Sequence, residues 1–503
     1  MTEVVTPGGV VRGRVVETPD GGVHAFLGVP YLRVAERFRP GVAVEPWAGG
    51  RAATSRGPVA PQPFADAPVS ERDSLHVNIW TPDPAARDLP VFVWVHGGLH
   101  IVGSNAEPLS DGARLAAAGR MIVVSVNHRL GALGFLTLEH LLGAEYADSA
   151  NLALLDVIGA LRWVHSGIAA FGGDPSRVTL AGQSAGAVLV SALLAAPAAA
   201  GLFRRAVLQS GNPERIGSRA FGEGVTAELL ALLGLEDDPS RLLTLPWEEV
   251  VAAQQRLIEQ RSAGHPNPTP AFRPSLDGRV LPATPVDAVA AGASSTVDLI
   301  VGTNVNEGSG FVDPGGPEPS PELLKSELAL LLPHWPASRG SRADAFAAAL
   351  RADLGREVSG AELLEACLAE TIYRQPSQRF LDARADATVS TRSYLFTWEQ
   401  PASAGPRRAG HSLELPFLFR TLDSPLAPAE VGTAAPASLR DALTRHWSAF
   451  AATGAPGPDW PEYAPSRATL LLADSPRVAL APRDTVRRLA ASARPPSRPG
   501  RGL

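Results

Sequence analysis

Short apolar runs separated by turn residues open the chain. Phe26–Pro30, Val77–Trp80, Val91–Val95 and Met121–Val126 lack helical spacing. The last two are apolar at every or nearly every position, which predicts strands buried on both faces of a helix-covered sheet. The pattern changes at Asn151. Leu152, Leu154, Leu155, Ile158, Leu161, Trp163 and Val164 cover one broad helical face up to His165. Strand character resumes at Val178–Ala181, and the longest apolar stretch, Ala185–Phe203, follows. That stretch is near the length of a membrane span, but Pro197 and Gly201 interrupt it, so it reads as a buried core helix. Arg205–Gln209 and Val297–Val301 are further strands. Strands alternating with helices predict an α/β class with a mostly parallel sheet.

Pro-, Gly- and Ser-rich segments at 263–270, 313–321 and 400–406 punctuate a helix-rich region between about 213 and 390, which includes a helix over Ala361–Tyr373. None reads as an interdomain linker, and no repeat of fixed period occurs. One domain is expected over 1–490, with helical insertions at roughly 213–295 and 309–390. A Pro- and Arg-rich tail without apolar periodicity is expected over 491–503, disordered by composition.

The chain has 503 residues, 45% hydrophobic and 19% charged, enough apolar material for a large core. Its formal net charge of −6 gives no electrostatic reason to expect a nucleic acid partner. Lys325 is the only lysine. A single cysteine, Cys367, excludes an intrachain disulfide and a multi-thiolate metal site. No basic segment followed by an apolar core opens the sequence, so the expected location is cytoplasmic, without a membrane partner. Neither H-E-x-x-H nor a Walker lysine motif is present, and no metal or other cofactor is expected.

The chemistry concentrates at Gly182-Gln183-Ser184-Ala185-Gly186. This G-x-S-x-G run lies between a predicted strand and a predicted helix, where a sharp turn exposes a serine hydroxyl. Alone the pentapeptide would also suit a helix-capping serine in a Gly- and Ala-rich chain. A second signal is His96-Gly97-Gly98-Leu99 after the strand Val91–Val95. Acyl transfer builds charge on a carbonyl oxygen, and adjacent glycines let main-chain N–H groups approach it. An ordinary glycine turn would look the same.

Together, Val91–Gly103, Asn127–Phe135 and Asn151–Val188 resemble the type B carboxylesterases, relatives of cholinesterases and bacterial para-nitrobenzyl esterases. The run Ala170–Gly186 is the most diagnostic. Further matches are Val11–Gly13, Phe26–Tyr31, Val207–Gly211, Asp277-Gly278, Gly302–Gly308 and Trp460–Tyr463, so the resemblance spans roughly residues 4–480. It implies an α/β-hydrolase fold and hydrolysis of small-molecule carboxylic esters with broad specificity. It also implies Ser184 as nucleophile, His411 as base and Glu307 as orienting acid, with backbone N–H donors at Gly98, Leu99 and Ala185. The chain order serine, acid, histidine agrees with that fold. By residue type alone, His411 is one of 11 histidines and Glu307 an ordinary loop carboxylate.

Departures from the family pattern are informative. Gln183 stands where the family usually has glutamate, while Glu414, resembling its other site carboxylate, is retained. Arg72-Asp73-Ser74 replaces the usual Glu-Asp-Cys, so Arg37 is expected to lose its partner to Arg72. Arg129 and Asp156 are expected to pair. The aromatic anchor for quaternary ammonium is not identifiable, which argues against choline esters. Two alternatives stay open: an acyltransferase or thioesterase using the same triad, and a non-catalytic interaction protein, disfavoured by the intact triad. The sequence assigns no oligomeric state.

Overall fold

A computed structural model describes residues 1–65, 67–263, 270–384, 389–400, 408–432 and 435–493. Thirteen strands among these residues form one sheet. They are β1 (Thr2–Thr6), β2 (Gly9–Thr18), β3 (Gly21–Pro30), β4 (Gly50–Ala52), β5 (His76–Thr81), β6 (Leu89–Val95), β7 (Ile122–Val126), β8 (Gly173–Gln183), β9 (Arg205–Gln209), β10 (Asp298–Asn304), β11 (Thr391–Phe396), β12 (Ala468–Leu472) and β13 (Arg477–Leu480). Their order is β1-β2-β3-β5-β7-β6-β8-β9-β10-β11-β12-β13, with β4 alongside β2. From β7 to β12 neighbouring strands run parallel. Antiparallel strands finish both edges.

Strand β6 shows why the sheet is covered twice. Side chains alternate across a strand. Val91, Val93 and Val95 pack with Leu154, Val157, Leu161 and Val164 of the helix Leu152–Gly167 in one core. Phe92 and Trp94 enter a second core with Leu115 of the helix Ala113–Gly119 and with Leu443, Trp447 and Phe450 of the helix Ala437–Thr453. Each such buried side chain contributes about 1.5–3 kcal/mol.

The helix-rich expectation holds between the strands. Helices Arg219–Leu233, Trp247–Ser262 and Pro285–Ala290 connect β9 to β10. Pro321–Leu331, Arg342–Leu354, Gly360–Ala369 and Gln375–Ala383 lie between β10 and β11. The helix expected over Ala361–Tyr373 is not uniform: Glu370–Arg374 widens into one π-helical turn. The stretch Ala185–Phe203 is helical only to Ala195, and every residue of that helix is buried. A short 3-10 turn starts at Pro197, where the missing N–H cannot continue the helix. The helical stretch Ala144–Phe171 is also long and apolar enough to cross a membrane, yet most of it is packed inside the protein.

Two expectations need correction. Arg37 keeps a carboxylate: Nε and NH2 donate to Glu71 at 2.5 and 2.6 Å, the acid having moved one position ahead of Arg72. At the C-terminus, Ala491 and Ser492 close the helix Asp484–Ser492, and the expected tail lies outside the described residues from 494 onward. The loops expected at 263–270 and 400–406 also fall largely outside them. Arg129 and Asp156 do pair, with Nε and NH2 at 2.8 and 2.6 Å from the carboxylate.

Candidate active site

The chain leaves β6 for β7 on one side and then returns to β8 on the other, so strand order reverses at β6. Ligands bind beyond the carboxyl ends of strands at such a point. Here the ends of β6 and β8 carry His96-Gly97-Gly98 and Gln183-Ser184.

Ser184 adopts φ 54° and ψ −124°, a conformation rare for a residue with a side chain. Its surroundings enforce it. A Cβ at Gly186 would lie 2.1 Å from the Val95 carbonyl oxygen and 2.6 Å from that of His96. One at Gly182 would lie 2.6 Å from the Gly186 carbonyl carbon. Strand and helix therefore approach through their main chains, and the turn between them is forced sharp. Ser184 N donates to Gln209 O at 2.9 Å, tying the turn to β9.

Opposite stands a loop of three consecutive left-handed residues, Gly98, Leu99 and His100, with φ of 103°, 56° and 63°. Ile101 N and Val102 N both donate to Gly98 O at 3.0 Å and close it. Among the described residues, the N–H groups of Gly98, Leu99 and Ala185 donate to no protein acceptor. Behind the loop, His96 and His128 stack with centroids 4.6 Å apart. Burial, followed by the charge of His128, pushes the His96 pKa down to about 3, so this support is neutral.

The structure brings His411 and Glu307 together, Nδ1 lying 2.6 Å from Oε2. Glu307 is fully buried in a 3-10 turn after β10, and its Oε1 accepts the Asn304 N–H at 2.7 Å. Asn304 does more. Its Nδ2 donates to Gly410 O at 2.6 Å and to Glu414 Oε2 at 2.8 Å, fixing the segment that carries the imidazole. Glu414 makes no hydrogen bond to His411; its Oε1 accepts from Gln209 Nε2 at 3.1 Å. Burial, then the neighbouring Glu307 carboxylate, raises the Glu414 pKa. Tyr373, from the π-helical turn, lies over the imidazole with centroids 4.8 Å apart.

The far nitrogen of His411 is occupied. Gln183 Nε2 lies 3.1 Å from His411 Nε2 and 2.8 Å from Ser412 Oγ. An amide N–H donating there requires a lone pair on Nε2, which puts the ring proton on Nδ1, facing Glu307. Among the described residues no hydrogen bond joins Ser184 Oγ to the imidazole.

Ser184 opens into a pocket bordered by Leu99, Val188, Ile372 and Tyr373. A second, apolar hollow, lined by Ile101, Ile258 and Phe272, shares Leu99 with it. Sequence reasoning missed Asn304 and Tyr373. Asn304 lay inside the Gly302–Gly308 match without a role, and nothing in the helical pattern marked where the π turn would present Tyr373. Among the described residues no cluster of three or more His, Cys, Asp or Glu side chains could hold a metal ion.

Comparison with known proteins accords with this geometry. The profile of the Carboxylesterase family matches residues 1–487. The chain is 35% identical over 481 residues to a para-nitrobenzyl esterase of Bacillus subtilis (strain 168), covering 92% of this chain and 94% of that protein. It is 32% identical over 481 residues to a phenmedipham hydrolase of Pseudarthrobacter oxydans, covering 90% and 92%. A carboxylesterase of Geobacillus stearothermophilus of known structure superposes with a TM-score of 0.83 at 33% identity, covering 97% of this chain and all of that one (100%). The fold is therefore that of the α/β-hydrolases. With a glycine-enforced serine turn, a buried Glu307 in contact with the His411 imidazole, and a match running nearly end to end, the chain belongs to the carboxylesterase family and is a serine carboxylic ester hydrolase.

Proposed function

We propose that Ser184 attacks small-molecule carboxylic esters of broad range, with His411 as general base and Glu307 as its orienting acid. The observation that carries this reading is the 2.6 Å contact of His411 Nδ1 with a buried carboxylate, in a chain whose Ser184 is held at positive φ on the strand-to-helix turn after β8. Attack requires the Gln183 amide to yield His411 Nε2 to the Ser184 hydroxyl. Such hydrogen bonds commonly tighten only when substrate is bound. The imidazole takes the hydroxyl proton as Oγ bonds to the carbonyl carbon. The resulting oxyanion is held by the N–H groups of Gly98, Leu99 and Ala185, each worth about 3–4 kcal/mol. Collapse expels the alcohol, which takes the proton from His411. Water, deprotonated by the same imidazole, then releases the acid and regenerates Ser184.

Choline esters are not expected, since the aromatic anchor that the family's cholinesterases use for quaternary ammonium is not identifiable in this sequence. A cytoplasmic location accords with the single, buried thiol of Cys367. Treatment with a fluorophosphonate followed by peptide mass spectrometry tests the assignment. A label on the Ser184 peptide, absent in Ser184→Ala, is the expected result. A label elsewhere would overturn it.

A further inference from the structure

Two arginines, Arg215 and Arg273, border the cavity into which Ser184 opens, and among the described residues no aspartate or glutamate does. Both are half-buried. Arg273 sits with its guanidinium carbon 3.9 Å from the centroid of Phe221. On the same ring lies Arg261, at 5.3 Å. The two differ in what neutralises them. Arg261 makes a paired contact with Glu228 at 2.7 and 2.8 Å. No carboxylate pairs with Arg273 among the described residues, and its buried Nε has no hydrogen-bond partner. Burial, then the nearby Arg215 and Arg261 charges, pushes the Arg273 pKa down to about 10, still well above neutrality. The same two cavity arginines help hold His100 neutral, after its burial and the His128 charge.

Leaving the Arg273 guanidinium without a counter-ion in a partly desolvated wall is costly unless an anion completes it. A guanidinium stacked by its face on an aromatic ring keeps its in-plane N–H groups available, and that fork matches a carboxylate. We infer that this enzyme favours esters carrying a second, free carboxylate, held by Arg215 and Arg273 while Ser184 attacks the ester carbonyl. The inference rests on the Ser184 reading of the same site. The adjoining apolar hollow then takes the other half of the ester.

Two matched substrate pairs test it. Mono-4-nitrophenyl adipate against 4-nitrophenyl hexanoate places the charge on the acyl side. 4-Acetoxybenzoate against 4-acetoxybenzamide places it on the alcohol side. The readout is the kcat/KM ratio, anionic over neutral, in the unmodified enzyme, Arg273→Met, Arg215→Met and Arg273→Lys. A charge-assisted contact predicts that this ratio falls about 10-fold or more in each methionine variant, for one of the two pairs. Arg273→Lys should retain most of it. Fluorophosphonate labelling of Ser184 in every variant shows that the site is still formed. Ratios that stay within about twofold of the unmodified enzyme in both methionine variants overturn the inference while leaving the Ser184 assignment standing. No turnover of any ester and no label on Ser184 would overturn both.

Discussion

Glu307 faces donors with both oxygens, and this makes Glu307→Gln a sharp test of the Glu-His pair. Oε1 accepts the Asn304 N–H and Oε2 meets His411 Nδ1, in a fully buried position. An amide has one oxygen and one NH2 group, so one of the two donors must meet another donor. If the NH2 group faces Asn304, a buried N–H loses its acceptor at a cost of about 1–3 kcal/mol. If it faces His411 instead, the ring can answer by moving its proton to Nε2. The second arrangement costs the fold less and removes the lone pair that receives the Ser184 proton. The equivalent amide replacement in serine-protease triads lowers kcat by about 10⁴ for this reason. For Glu307→Gln we expect kcat on a 4-nitrophenyl ester to fall by roughly 10³–10⁴, about 4–5.5 kcal/mol of barrier, with KM changed little. Near-UV circular dichroism and the urea midpoint should stay close to those of the unmodified protein. A loss below about tenfold, in a variant that is still folded, would refute the argument that the carboxylate sets the tautomer.

Three further predictions follow from other parts of the molecule. Gly186→Ala forces a methyl group against two carbonyl oxygens that belong to the sheet, so urea denaturation should show about 1–3 kcal/mol lost and esterase activity should fall with it. Asp156→Ala strips the buried Arg129 of its partner and should cost about 3–5 kcal/mol in the same assay, while surface pairs such as Arg351 with Glu357 should show almost no effect. Glu107 is pushed up to about 7 by burial, against a weaker pull from the Ser104 N–H. The folded protein thus binds the extra proton between the ordinary glutamate range and about pH 7, and stability falls as pH rises through that window. The urea midpoint of Glu107→Gln should fall less than that of the unmodified protein between pH 5 and pH 8, the difference approaching about 2–3 kcal/mol. Parallel pH curves for the two proteins would disprove it.

What the sequence disclosed depended on how local each signal was. β6 and β7 are continuous apolar runs with no alternative period, so both were legible, and the serine turn lay between a strand and a helix that each had clear patterns. Strand β2 was not legible, since Gly9–Thr18 has an irregular, partly exposed pattern at a sheet edge. β11 reads Thr-Arg-Ser-Tyr-Leu-Phe, yet all six residues are buried, because packing from both sides overrides their polarity. Glu307 and His411 were found through family resemblance and chain order, as no local pattern joins residues 104 positions apart. The arginine pair was hidden for the same reason. Arg215 and Arg273 belong to segments that meet only in the folded chain. The partner of Arg37 was misassigned because a one-residue displacement of an acid changes a motif but not what a long guanidinium can reach.

The groups proposed to receive the developing oxyanion are peptide N–H groups, and no substitution deletes a peptide. Leu99 would lend one of them, while its side chain, 47% exposed, borders both hollows. Residue 99 is therefore a replaceable partition: exchanging it redraws the space on either side of the scissile bond and leaves the electrostatic machinery in place. Its φ of 56° restricts the exchange. Asparagine, aspartate, histidine and glycine tolerate that backbone, whereas valine, isoleucine and threonine do not. Substrate range can therefore be varied at this position only within a narrow alphabet.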